Sequence, residues 1–455
     1  MCCFIWQVTG KKIKKFKVNL LLLTPLIFFL PFSDLFSLPK LLWLSAVSLF
    51  MASRLMLAQD KRTLRFPLFG PIALFVLADL LSAKNMVNGY EWFFMFGVDL
   101  MGAVIFYYTV NFLRIENIEP LGMCFVMVVA LVSVTSLVAY STGWPASLAN
   151  FHQGKGGTMG NPNFAAILVV MALPIGFLRL TSRRWPWTIA TTQDGPRTIN
   201  TLQDGSVFAY LAVLAPSVAI VATLGWHLVV TGSKGAILSL GAVVCVWGTT
   251  LKGFERLALA VLGMFAVSIL LVFQPRLSIL TLEHRLAWWK GSLLMAEDYP
   301  VFGVGRGNWQ LVYPMYAGAA GDKSMDQLEI NMTPGKGDLL SKTFINAAHN
   351  DYLQILAEIG PLGLGTLLWF IYQLVPLREE FSQGPQGTIL GIFLGWLSLL
   401  IGGLASLPLQ MPELSAFFWF FSGILALNRL KSKPEDQGLP PITNPDRWLD
   451  RSVGY

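Results

Sequence analysis

His349-Asn350-Asp351-Tyr352-Leu353-Gln354-Ile355-Leu356-Ala357-Glu358-Ile359-Gly360-Pro361-Leu362-Gly363-Leu364-Gly365 is where this chain changes character. Residues 275–348 form a polar stretch of 74 residues, and the sequence beyond it is apolar again. A histidine therefore stands where a long loop meets a membrane helix, and a carboxylate follows inside that helix. A neutral imidazole at a membrane surface can act as a general base. At 100° per residue Glu358 falls on the opposite helix face from His349 and about 13 Å deeper. Structural roles are thus expected of Glu358 and Gly360, unless Gly360-Pro361 breaks the helix early enough to bring Glu358 to the histidine.

The rest of the chain reads as a scaffold for that junction. Hydrophobic residues make up 54% of it, and they cluster in runs of about 20, the length that crosses a bilayer. The runs fall at 18–32, 39–57, 67–83, 93–113, 121–140, 163–180, 206–230, 236–251, 257–274, 350–376, 387–408 and 411–429. This predicts an all-α polytopic membrane protein of about twelve transmembrane helices with one long extracytoplasmic loop. Its parts are an N-terminal bundle over 1–274, the loop over 275–348, C-terminal helices over 349–430 and a polar tail over 431–455. The start, Lys11-Lys12-Ile13-Lys14-Lys15, resembles a signal sequence, but no small-residue cleavage site follows and a retained first helix is expected. Cys2 and Cys3 stand at the N-terminus, and Cys124 and Cys245 lie in apolar runs, so the polar loop has neither a disulfide nor a thiolate metal site.

The formal net charge of +7 follows from topology rather than from an anionic partner, and nucleic-acid binding is excluded. With a cytoplasmic N-terminus, the inside segments hold 22 Lys and Arg, whereas the short outside loops hold four: Lys40, Lys84, Lys155 and Lys234. Seven more lie in the long loop, which the positive-inside rule does not count. Both termini are expected inside and the long loop outside. Residues 181–205 and the tail are expected to be mobile linkers. Asp79 and Asp99, near the outer ends of spans, are expected to make structural hydrogen bonds, and His227 to be a satisfied core histidine.

Several outer stretches carry groups suited to chemistry. Gly154-Lys155-Gly156-Gly157-Thr158-Met159-Gly160-Asn161-Pro162-Asn163 opens a helix around Asn163, and glycine-rich backbone at a helix start can approach an anion, or else is a turn with Asn as cap. Thr231-Gly232-Ser233-Lys234-Gly235 places a lysine at another helix start, a poor position for a cation unless an anion is held there. Glu283-His284-Arg285-Leu286-Ala287-Trp288-Trp289-Lys290 has helical spacing over 281–296, and Arg285 offers a bidentate grip on a phosphate. Gly303-Val304-Gly305-Arg306-Gly307-Asn308 lacks the strand context of a dinucleotide fingerprint.

Together these stretches resemble the O-antigen ligase superfamily, which also holds O-antigen polymerases and some protein O-oligosaccharyltransferases. The resemblance rests on Gly160-Asn161-Pro162-Asn163, Ser233-Lys234-Gly235, Arg285 with Trp288-Trp289, Asp298-Tyr299-Pro300 through Asn308, and His349-Asn350 through Glu358, Gly360 and Gly363. It implies an inverting, metal-independent glycosyltransferase of the GT-C type, without a cofactor, in the inner (plasma) membrane. Its donor would be an undecaprenyl-diphosphate-linked glycan. Its acceptor would be a glycan, a lipid A core or a protein hydroxyl at the extracytoplasmic face. On that resemblance His349 and Arg285 are catalytic. Lys234, Asn161, Asn163, Asn308 and Arg306 bind substrate or position the loops around it. Relatives commonly carry arginine where this chain has Lys234. No Asp-x-Asp pair stands in the outer loops to hold a metal.

The competing readings are a transporter of a small anion such as bicarbonate and a non-catalytic envelope scaffold. A transporter places its charges near mid-membrane between repeats, whereas here the candidates gather at one face and no inverted repeat is found.

Overall fold

The structure is a computed structural model, and it describes residues 19–28, 36–58, 64–181, 191–192, 195–196, 207–250, 279–322, 347–376 and 386–432. The longer helices are α1 (Ser37–Met56), α2 (Phe69–Ser82), α3 (Gly89–Phe112), α4 (Ile118–Thr142), α5 (Pro162–Thr181), α6 (Val207–Thr231), α7 (Lys234–Thr250), α8 (Ile279–Asp298), α9 (Pro314–Ala320), α10 (Asp351–Leu374), α11 (Gln386–Gly402) and α12 (Pro412–Ser432). Among the described residues, five helical segments, Ser37–Met56, Gly89–Phe112, Ile115–Thr142, Pro162–Arg179 and Asp351–Leu374, are long and apolar enough to cross a membrane, and shorter apolar helices accompany them. The chain is a multi-pass, helical membrane protein. Within the first expected span, the described residues include one helical turn, Asn19–Leu22, and a 3-10 turn, Thr24–Leu26. The expected span at 257–274, most of the 310–345 stretch, most of the 181–205 linker and the tail beyond 432 lie outside the described residues. Within the linker, Thr191–Thr192 and Gly195–Pro196 form a two-residue antiparallel ladder.

Helix α5 is the axis of the bundle. Residues 165–172 are all buried to 1% exposure or less, the all-round apolar character of a helix enclosed by others. It packs most closely on α11 and also on α4 and α6. Small residues permit the approach to α11: a Cβ at Gly395 would lie 2.4 Å from the Met171 carbonyl oxygen, and one at Gly391 would lie 2.8 Å from Ile175 Cα. Lipid tails are as apolar as leucine, so this association depends on close van der Waals packing rather than on hydrophobic burial.

The helix ends sort into two groups. At one end Arg179 pairs with Glu119, Arg429 bonds the carbonyls of Gln373 and Val375, and the Arg65 backbone meets the Asn111 side chain. At the other end lie the α2–α3 connector, the 151–161 segment, the α6–α7 turn, the 299–309 segment, the start of α10 and the α11–α12 connector. Lys40, fully buried, ties α1 to this second end through the carbonyls of Phe36 and Thr158 at 2.9 and 2.6 Å. Outside the main core, α8, α9 and the segment between them enclose a smaller one of Met295, Val304, Trp309, Val312, Tyr313, Ala317, Ala348 and Ala357. This second core seats the polar loop on the bundle.

Candidate active site

Helix α10 explains why His349 sits where it does. The Asn350 side chain accepts the N–H groups of Tyr352 and Leu353 at 3.0 and 3.1 Å, an N-cap that fixes the helix start one residue after the histidine. Asp351 opens the first turn and is fully buried. Its N–H donates to the Gly403 carbonyl at 2.8 Å, and its Oδ2 accepts the Leu409 N–H at 2.9 Å. Tyr352 Oη donates to the Leu400 carbonyl at 2.8 Å. The helix start is thereby fastened to the α11–α12 connector. His349, forced into the turn ahead of the cap, takes φ +52°, a left-handed conformation that a side chain rarely adopts.

The same helix breaks where the sequence says it must. Pro361 has no N–H to offer the Ala357 carbonyl, and Gly360 leaves helical geometry at φ 78°, ψ −177°. The freed carbonyls of Ala357 and Glu358 accept instead from Val304 N–H at 2.9 Å and Gly305 N–H at 3.0 Å. The 303–307 segment can lie this close because it is built on glycine. Gly303, Gly305 and Gly307 all have positive φ, and a Cβ at Gly303 would lie 2.3 Å from the Glu358 carbonyl carbon. The alternating glycines thus thread backbone against a broken helix.

Arg306 enters the bundle from this segment and is 1% exposed. Its Nε donates to Asp99 Oδ2 at 2.8 Å, and its Nη1 donates to Glu358 Oε2 at 2.9 Å and to Gln410 Oε1 at 2.5 Å. Burial alone would lower its pKa, but Asp99 and Glu358 outweigh burial and raise it, so the guanidinium stays charged. Asp79 is fully buried beside Asp99. Asn308 is equally committed to the protein: its Oδ1 accepts from the N–H groups of Val87 and Asn88 at 3.0 and 2.6 Å, and its Nδ2 donates to the Arg306 carbonyl at 2.9 Å. Arg306, Asn308 and Glu358 therefore form one internal brace. Glu358 does not touch His349. It accepts from Gln354 Nε2 at 3.0 Å, and Gln354 Oε1 accepts the Ala348 N–H at 3.1 Å, so the brace reaches the peptide just before the histidine.

The exposed side of the junction differs in kind. Helix α8 carries His284, Arg285 and Trp288 within one turn, and it packs on α10. The Trp288 and His349 rings stack with centroids 5.2 Å apart and planes 30° from parallel. Among the described residues, neither ring nitrogen of His349 has a hydrogen-bond partner. Burial, reinforced by the positive charge of Arg285, lowers the imidazole to a pKa of about 4, so it is neutral at physiological pH. Arg285 is half-buried, and burial lowers its pKa as well. No carboxylate among the described residues pairs with it. A partly desolvated guanidinium without a counter-charge, beside a neutral base, is an arrangement suited to an anionic ligand.

The remaining sequence-predicted residues stand on the same end of the bundle but apart from His349. Asn161 Oδ1 accepts the Asn163 N–H at 2.8 Å and caps α5, which begins at Pro162. Asn163 is half-exposed in the first turn. Lys234 is the first residue of α7, half-buried, and a Cβ at its neighbour Gly235 would lie 3.3 Å from Ala405 Cβ. The α11–α12 connector thus borders both the Lys234 and the His349 helix starts. His227 is buried and satisfied, with Ser133 Oγ at 2.9 Å and the Lys155 carbonyl at 3.1 Å.

Gln354, Gln410, Asp322 and Tyr313 were not singled out by sequence reasoning. Only Gln354, one helical turn from Asn350 on the same face, carried a signal that could have found it. Residues 218–368 match a family model described as O-antigen ligase. That third of the chain includes Lys234, Arg285, Arg306, Asn308, His349, Glu358 and Gly360, and leaves Asn161 and Asn163 outside. Comparison with curated proteins gives no match.

Proposed function

We propose that this chain, which carries an O-antigen ligase domain over residues 218–368, moves glycan from an undecaprenyl-diphosphate carrier to an acceptor hydroxyl at the extracytoplasmic face. The observation that carries the reading is the half-buried Arg285, without a carboxylate partner among the described residues, beside the neutral imidazole of His349. In a single displacement, the acceptor oxygen attacks the anomeric carbon from the side opposite the diphosphate. His349 takes the hydroxyl proton, the carbon–diphosphate bond breaks, and the anomeric configuration inverts. Arg285 neutralises the charge that grows on the leaving diphosphate, and Lys234 adds a point charge at its helix start. The charge comes from side chains, so the reaction is metal-independent on this reading.

Donor binding also prepares the base. A diphosphate beside Arg285 cancels the positive charge that disfavours the imidazolium, so His349 becomes a stronger base once the donor is seated. Asn161 and Asn163 shape the neighbouring loop for sugar, while Arg306 and Asn308 hold the site together from within. Twelve crossings in a GT-C-like arrangement would put this end of the bundle outside the membrane, with both termini cytoplasmic and a catalytic loop at 275–348 between two transmembrane units.

The test is transfer by purified protein in nanodiscs, given undecaprenyl-diphosphate-linked glycan and a panel of glycan, lipid A core and protein acceptors. Chelator-resistant transfer that falls at least ~10²-fold in His349→Ala and Arg285→Ala is expected. The productive acceptor then separates ligase from polymerase and from protein glycosylation. No transfer to any acceptor, together with bicarbonate uptake into vesicles, would replace this reading with the transporter.

A further inference from the structure

Neither His349 ring nitrogen is bonded among the described residues, so something other than a hydrogen bond must set the orientation of the imidazole. What touches the ring is Trp288, which stands between His284 at 6.2 Å and His349 at 5.2 Å, centroid to centroid. The indole has a single polar handle, and it is occupied: Nε1 donates to Asp322 Oδ2 at 3.0 Å. Asp322 is 3% exposed and follows α9 through a left-handed Gly321. The same Oδ2 accepts from Tyr313 Oη at 2.7 Å, and Oδ1 lies 3.4 Å from His284 Nδ1. Tyr313 is in turn stacked on the buried Trp309 at 4.4 Å. Burial, with the Asp322 bond, raises the Tyr313 pKa and keeps its phenol a donor.

We propose that Asp322 is a positioning residue for His349, acting through Trp288. The inference rests on His349 being the reacting base. A hydrogen bond at the indole N–H restrains rotation of the ring about χ2, and a ring stacked on it has fewer orientations to sample. Asp322 would thereby set the direction of the imidazole nitrogens from the far side of the tryptophan without touching the reacting atoms. A misplacement of about 1 Å at such a base costs on the order of 10²-fold in rate.

The experiment uses the full chain in nanodiscs with Asp322→Ala, Asp322→Asn, Trp288→Phe and the double variant Asp322→Ala/Trp288→Phe. Asp322→Ala is expected to lower kcat about 10- to 100-fold with KM for the lipid-linked donor within about two-fold. Asp322→Asn keeps an acceptor for the indole and should recover most of the loss. Trp288→Phe keeps a ring but removes the N–H, so it should match Asp322→Ala, and the double variant should be no slower than either alone. Multiplying effects, or a loss confined to KM, would overturn the proposal.

A second readout needs no transfer: the rate at which diethyl pyrocarbonate modifies His349, followed by mass spectrometry of its peptide. That rate should change by a similar factor in Asp322→Ala and Trp288→Phe. An unchanged rate in both overturns the coupling even in an enzyme that transfers glycan. A changed rate in a protein that transfers nothing keeps the coupling and removes the glycosyltransferase reading. Should Asp322→Ala fail to fold, Trp288→Phe alone decides, and unaltered kcat and modification rate there count against the proposal.

Discussion

His349 combines a left-handed backbone, a stacked ring and an imidazole pKa lowered to about 4 by burial and by Arg285. The pH dependence follows with a definite sign. The free enzyme keeps the imidazole neutral until the pH approaches 4, so kcat/KM should stay level through the range where an ordinary histidine, near 6.5, would already have titrated. Seating a diphosphate against Arg285 raises the imidazole pKa, so the acid limb of kcat should lie above that of kcat/KM. Coincident limbs near 6.5 in both profiles would remove His349 as the base. Stability runs the same way. Unfolded chain takes up this proton near 6.5 and folded chain only near 4, so the contribution of His349 to stability is lost as pH falls through that window. The place of His349 was legible in sequence because a polar loop meets an apolar helix there, and α8 gathers His284, Arg285 and Trp288 as the helical spacing over 281–296 predicts. Asp322 and Gln354 act through Trp288 and Ala348, and a partner's partner leaves no pattern in a single sequence.

At the scale of elements, the break in α10 is the joint on which the site turns. Gly360-Pro361 was visible as a helix breaker. What receives the freed carbonyls was not, because Val304 and Gly305 lie more than fifty positions upstream and the bonds join backbone groups of any residue type. Arg306 shows the same limit. It reads as a cation in an outer loop, yet Asp99, Glu358 and Gln410 converge on it from sequence separations of 207, 52 and 104 residues. Gly360→Ala tests the joint. The replacement would need a side chain at φ 78°, ψ −177°, with its Cβ 2.4 Å from the Val301 carbonyl oxygen. A backbone in that region costs roughly 1–3 kcal/mol before any clash is added. A lower melting temperature in nanodiscs is expected, with loss of activity as the 303–308 segment is pushed from the helix. Wild-type melting and activity would mean that the segment does not depend on the break.

At the scale of the whole molecule, the structure groups the helix ends, and the charge count along the sequence proposes which group faces the cytoplasm. Arg65, Arg179 and Arg429 meet their partners at one end, the end the positive-inside rule assigns to the cytoplasm. His349, Arg285, Lys234 and Lys155 gather at the other. On the proposed orientation the candidate site faces outward, where a lipid-linked glycan would be presented. Met315 on α9 and Arg114 between α3 and α4 provide the test, because the first is 71% exposed and the side chain of the second is 72% exposed, on opposite ends. With the four native cysteines replaced by serine, Met315→Cys in intact spheroplasts should react with a membrane-impermeant maleimide. Arg114→Cys should react only after the membrane is opened. The reverse pattern would turn the protein over in the bilayer and put His349 in the cytoplasm, away from any acceptor outside the membrane. Labelling of both from outside would break the alternation of spans between residues 114 and 315 and send the count of crossings back to the segment around 257–274.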